Sequence, residues 1–168
     1  KEKLPIVDKD GNLTGPLTIK DIEKQIAELK TNINNANAVA ANDEAQKQNS
    51  LTQNKQDQQD ALDAAQKTID KAQADVDKYK KKGSECEDYI YYLKNNHKDT
   101  SEYDGKLDVF KSSLETAQNA LDSANDNYAS VLKNTDRSVA SAQNTVDMQK
   151  YQASTCLLYT SDAADDLT

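Results

Sequence analysis

The sequence predicts an all-α fold: a long antiparallel two-helix coiled-coil hairpin with a short helix at the tip and a small extended N-terminal segment. Three observations predict it. Apolar residues recur three and four apart through most of the chain, which is the spacing of one helix face. Pro5 and Pro16 are the only prolines and Gly11, Gly15, Gly83 and Gly105 the only glycines, so the tracts 17–82 and 106–155 contain no helix breaker. With 36% hydrophobic residues, no Trp and one Phe, the chain lacks material for a thick globular core. A narrow apolar stripe on each of two helices needs much less. Disorder competes on composition alone, and the placement of the breakers argues against it.

Residues 1–16 hold the short apolar run Leu4, Ile6 and Val7, then Asp10-Gly11, then Leu13. This reads as a hairpin or turn, because an Asp-Gly turn needs positive φ at its centre. Asp8, Asp10 and Asn12 have the opening spacing of a calcium loop. However, the glycine falls at the fourth position instead of the sixth, and Ile19 stands where the bidentate Glu belongs, so a plain turn is expected.

A first helix is expected over 17–82, opened by Thr18 and Asp21 in capping-box register. Ile19, Ile22, Ile26, Leu29, Ile33, Ala36 and Ala40 alternate steps of three and four, a heptad seam. Over 42–60 the seam thins to Leu51, which lies eleven residues from both Ala40 and Leu62. An eleven-residue step relaxes the left-handed supercoil, and a frayed segment is the alternative. Heptads resume with Leu62, Ala65, Ile69, Ala72, Val76 and Tyr79. Lys80-Lys81-Lys82-Gly83 then has the form of a helix end, with basic residues at the negative end of the dipole and glycine just beyond. The tip, 83–105, is expected to carry a short helix over 84–94, opened by Ser84 and Glu87, and then a loop, NNHKDTSEYDG.

The second helix is expected over 106–155. Its seam runs Leu114, Ala117, Leu121, Ala124, Tyr128, Leu132, Thr135, Val139, Ala142 and Val146, again with eleven residues from Tyr128 to Val139. One module, apolar-x-x-Ala-Gln-x-x-apolar-Asp, recurs from Leu62, from Leu114 and from Val139. Alanine opposite a large aliphatic lets two helices approach in regular layers. Long helices with a short connection fold back antiparallel. At ~1.5 Å per residue the first helix would reach roughly 100 Å. That register leaves residues 16–30 without a partner helix in this sequence.

The last thirteen residues, CLLYTSDAADDLT, depart from the preceding composition. Back-translated, 156–166 reads through the adapter of transposase-based sequencing libraries, so 156–168 is expected to be a non-native, adapter-derived tail. The biological sequence is then expected to stop near Thr155, with its start also missing. Without the tail the formal charge moves from −8 to −5, and Cys86 is the one cysteine left. An acidic chain does not suit nucleic acid, whose phosphates call for a concentrated excess of Lys and Arg. A single cysteine gives no disulfide framework and no cysteine zinc site. No stretch approaches the ~20 apolar residues of a membrane helix, so a membrane tether is expected only in chain outside this sequence.

No catalytic, cofactor-binding or metal-ligating constellation is legible, and an enzyme is not expected. His97, the one histidine, lies in the polar tip loop. Cys86 sits between Glu85 and Glu87, the opposite of the electropositive setting that activates a thiol. There is no Gly-rich phosphate loop and no nucleophile elbow. The concentrated feature is aromatic: Tyr79, Tyr89, Tyr91, Tyr92, Tyr103 and Phe110 all fall around the tip. They are expected to form a mini-core under the short helix, a docking surface for protein partners, or both, because tyrosine offers contact area with a polar handle.

The arms ALDAAQKTIDKAQADVDKYKKKG and SLETAQNALDSANDNYASVLKNTDRSVASAQNTVDMQKYQAS resemble the α-helical hairpin of HlyD-type membrane fusion proteins, the adaptor subunits of efflux and secretion systems. The likeness is closest to the Asn/Gln-rich versions of Gram-positive gut bacteria and covers roughly 17–155. It implies a hairpin inserted between two halves of a lipoyl-like β-domain, at the cell envelope outside the cytoplasm. Transporter subunits or other copies of the chain are the implied partners, and the implied work is bridging or guiding substrate without bond chemistry. Residues 1–16 lack a lipoyl half, and the Arg-Leu-Ser-Asp-Leu type of tip motif that grips outer-membrane ducts is absent, which fits a single-membrane organism. A coiled-coil stalk of a Gram-positive surface protein and an intracellular or phage structural coiled coil stay open as alternatives.

Overall fold

The computed structural model describes the backbone of residues 4–165 and the side chains of 7–12, 15 and 18–155. Its elements are β1 (Leu4–Val7), β2 (Leu13–Leu17), α1 (Ile19–Asn95) and α2 (Ser101–Asp165). The fold is the all-α hairpin, with two long helices packed against each other. By contact density the chain divides into a terminal unit, 1–49 with 146–168, and a turn-containing unit, 50–145.

In the terminal unit, β1 and β2 pair antiparallel, Leu4 opposite Leu17 and Val7 opposite Leu13, with a register slip between Ile6 and Val7. Pro5 faces Pro16, which a two-stranded sheet tolerates because every strand in it is an edge. Asp8 organises the turn. Its Oδ1 accepts from the amides of Asp10 and Asn12, both at 2.9 Å, and its Oδ2 accepts from the Asn12 side chain at 3.2 Å. The Asn12 amide above all holds the Asp8 carboxyl below the usual carboxylate range. Gly11 supplies the positive φ of 85°. The Asp8 carboxylate thus binds the chain's own N–H groups.

Helix α1 opens with a reciprocal capping box: the Thr18 amide donates to Asp21 at 3.0 Å and the Asp21 amide donates to Thr18 Oγ1 at 3.2 Å. Ile19, Ile26, Leu29 and Ile33 then lie exposed. Further along, Lys47 Nζ holds Asp43 at 2.8 Å and reaches the Gln149 side chain at 3.5 Å. On α2, Val146 is buried to 1% exposure.

In the turn-containing unit the helices run antiparallel, since Gln58 bonds Thr135 while Cys86 bonds Tyr103. Leu51, Ala65, Ala72, Val76, Cys86, Ile90 and Leu93 are buried on α1, as are Ala117 and Ala124 on α2. Leu62, Ile69, Leu114, Leu121, Tyr128, Val139 and Ala142 are half-buried between them. Residues 42–60 are continuous helix. Gln53 donates to Asp57 at 2.8 Å, Gln56 to Asp60 at 2.9 Å and Gln59 to Asp63 at 2.8 Å. Gln66–Asp70 and Gln73–Asp77 repeat the pattern. Amide-to-carboxylate pairs four apart each contribute about 0.2–0.5 kcal/mol, which keeps an amide-rich stretch helical where the seam is thin.

Several expected boundaries are corrected. Helix α1 does not end at Lys82 and no separate helix spans 84–94; one helix continues to Asn95. The heptad count explains this, because Gly83 stands four residues after Tyr79 and three before Cys86, followed by Ile90 and Leu93 on the same stripe. Burial of that stripe outweighs the ~1 kcal/mol that a helical glycine costs relative to alanine. Helix α2 begins at Ser101, not at 106, and takes in Gly105. Val131, not Leu132, completes the α2 seam; Leu132 is 38% exposed. Helix α2 also runs on to Asp165, past the expected end at Thr155, since no proline or glycine stops it. The side chains of 156–165 and all of 166–168 lie outside the described residues.

Candidate interaction surface beside the helix turn

All of this surface lies in the turn-containing unit. The end of α1 is closed by paired backbone bonds, the Lys98 amide to the Leu93 carbonyl at 2.9 Å and the His97 amide to Lys94 at 3.1 Å. That is a Schellman closure, and His97 occupies its left-handed position at φ 53°, where glycine is usual. Helix α2 starts at once. The Asp104 amide donates to the Thr100 carbonyl at 2.8 Å, and Asp99 accepts from the Ser101 hydroxyl at 2.7 Å and the Ser101 amide at 3.1 Å. Those Ser101 bonds, the hydroxyl first, hold the Asp99 carboxyl below the usual carboxylate range.

This short connection sorts the six aromatics into three groups. Tyr89 is the centre of one group. Its ring stacks on Tyr92 with centroids 5.8 Å apart and meets Tyr103 edge-on at 4.5 Å. Lys106 Nζ sits 4.6 Å from the Tyr103 ring centroid and 3.0 Å from Glu102. The hydrogen bond that Lys106 donates to Glu102 raises the Lys106 pKa above its ordinary value. Tyr79 and Phe110 form the second group, half-buried on the helix seam, with Lys78 5.0 Å from the Tyr79 ring and Lys82 5.8 Å from Phe110. Tyr91 stands apart, 69% exposed, because two residues along a helix turn it well away from Tyr89.

The structure therefore brings together Tyr89, Tyr92 and Tyr103, and places Tyr79, Phe110 and Tyr91 elsewhere. The mini-core under a separate short helix gives way to the seam itself, in which Cys86, Ile90 and Leu93 are buried. Cys86 Sγ donates to the Tyr103 carbonyl at 3.3 Å, which ties the two helices at this level. Residue-by-residue reading missed Lys106 and Glu102. Their signal was present as Glu102, Tyr103 and Lys106, at spacings of four and three on one helix face.

The second missed feature is a polar layer. Gln58 Nε2 donates to Thr135 Oγ1 at 3.0 Å and to Asp136 Oδ1, while Thr135 Oγ1 donates to the Val131 carbonyl at 2.7 Å. On each helix this layer falls inside an eleven-residue step, Leu51 to Leu62 on α1 and Tyr128 to Val139 on α2. The two seams change phase at the same level and fill it with hydrogen bonds.

Chemically, the tyrosine group presents ring faces and phenol edges with the Lys106 ammonium beside them. Among the described residues no His, Cys, Asp and Glu cluster has a metal-binding arrangement, and no helix is long and apolar enough to cross a membrane. No protein-family model, curated protein or solved structure matches the chain.

Proposed function

We propose that the chain is the structural hairpin of an adaptor of the membrane-fusion type, bridging or guiding substrate for an envelope transporter without catalysis. The observation that carries this reading is the hairpin itself, a narrow seam under amide-rich exteriors with a tyrosine group beside the turn. A β-hairpin feeding directly into α1 agrees with a helical pair inserted into a β-domain. The tyrosine group is the surface offered to a protein partner, since tyrosines packed near a lysine give area at low entropic cost.

The extended genomic locus tests this reading. A β-rich stretch of the Ala-Pro-x-x-Gly-x-Val type after the second helix is expected, with a matching half and one membrane helix upstream. Further helical repeats or a wall-anchor signal in their place would overturn it in favour of a surface stalk. The stalk is the second reading because the Gln–Asp ladder of α1 keeps a helix ordered without a wide core.

A further inference from the structure

In the terminal unit, α1 carries a seam whose large apolar residues lie mostly exposed. Ile19 is 72% exposed, Ile26 46%, Leu29 59% and Ile33 43%, while Ile22 is half-buried. These residues keep the heptad spacing of the stripe that is buried around Val76 and Ile90, so they form a coiled-coil face and not scattered surface apolars. We infer that this face pairs with the same face of a second copy of the chain, antiparallel and about a two-fold axis near Ala27.

The charges flanking the stripe select that occupant. With Ile19, Ile26 and Ile33 at the first heptad position and Ile22 and Leu29 at the fourth, Glu23 and Lys30 fall one heptad apart on the same flank. An antiparallel two-fold pairing sets Ile26 against Leu29 and Ile22 against Ile33 of the other copy. It also sets Glu23 against Lys30 twice, once in each direction. A parallel pairing joins Gln25 to Lys30 and Asn32 to Asn37 and makes no ion pair. The flank is thus self-complementary in one orientation only. Within the chain Lys24 pairs with Glu28, whereas neither Glu23 nor Lys30 has an ion-pair partner among the described residues. The face is short, so the association is weak, of the order of micromolar or weaker.

Sedimentation of the full chain at low salt, from about 5 to 500 µM, tests the pairing. A concentration-dependent dimer is expected; a monomer throughout overturns the proposal. Ile26→Asp should abolish the dimer while leaving the helical circular dichroism unchanged, and a dimer that survives it overturns the proposed face. Glu23→Lys and Lys30→Glu should each weaken self-association about three- to tenfold, because each puts like charges opposite each other. Mixing those two variants should restore a heterodimer, since every flank pair is then opposite in sign. Failure of the mixture to associate better than either variant alone overturns the antiparallel arrangement.

Discussion

Ile90 and Ile26 occupy matching heptad positions on the same helix, yet Ile90 is 6% exposed and Ile26 46%. Spacing fixes where a stripe forms. It does not say whether anything is seated on it. In the turn-containing unit the stripe is covered by α2, and alanines opposite large residues let the helices close. In the terminal unit the same spacing, richer in isoleucine, lies open. The more hydrophobic of the two stripes is the less buried, the inverse of what hydropathy alone implies.

Core truncation breaks this comparison most sharply. Ile90→Ala should cost about 2–5 kcal/mol, the loss of buried methyl groups plus the cavity left behind. Ile26→Ala should stay within about 0.5 kcal/mol at protein concentrations too low for association. Urea denaturation followed at 222 nm reads both, and equal losses would mean that the two stripes are equally buried in solution.

The polar layer comes next. Gln58→Ala should destabilise by about 1 kcal/mol, because Thr135 keeps its bond to Val131 and loses only a donor. A double-mutant cycle of Gln58→Ala with Thr135→Val should return a coupling of about 0.5–1.5 kcal/mol. Coupling near zero would mean that the layer is solvated and does not hold the register. Replacing both residues by Leu should raise the melting temperature while permitting a slipped register, visible as disulfide cross-links at more than one pairing of engineered cysteines.

Backbone substitutions sharpen the picture in the stabilising direction. A Cβ at Gly83 meets nothing within 4 Å, so Gly83→Ala should add about 1 kcal/mol of helix propensity without a clash. His97→Gly should stabilise by somewhat less, since glycine relieves the left-handed strain but also enlarges the unfolded ensemble. Thermal melts check both. A loss on Gly83→Ala would contradict the continuous helix.

These residues also show how far the sequence could be read. The hairpin was legible because breaker placement and 3–4 spacing are local properties. Gly83 misled because three lysines and a glycine imitate a helix end, while Cys86, Ile90 and Leu93 extend the stripe through it. Leu132 misled because a four-four step puts Val131 in its place, a choice made by the opposite helix and not by the residue's own hydropathy. The tyrosines were visible as a cluster, but their division into Tyr89, Tyr92 and Tyr103 against Tyr91 depends on α1 continuing through Gly83 to Asn95 and on α2 starting at Ser101 instead of 106. The Gln58–Thr135 layer needed the inter-helix register, which no single helix encodes.

The smallest effect separates local from tertiary causes. Asp99 and Asp21 cap α2 and α1, and hydrogen bonds from Ser101 and from Thr18 hold both carboxyls below the ordinary carboxylate range. A carboxyl with a lowered folded pKa adds stability that is present above the unfolded value, about 3.9, and lost as pH falls through the folded value. Asp99→Asn should therefore lower the melting temperature slightly at pH 7, and the gap to the parent should close below about pH 4. Asp21→Asn should show the same pH window, because capping is local and indifferent to what covers the stripe beyond it. Their readouts should nonetheless differ. Asp99 caps a helix whose next turns are packed, so its loss moves the global transition. Asp21 caps the largely exposed Ile19–Ile33 stripe, so its loss should appear as faster amide exchange over 19–33 with the global midpoint unchanged. If Asp21→Asn moved the global transition as much as Asp99→Asn, the open stripe would already be covered in solution. A shift that also grew with protein concentration would make a second copy the cover.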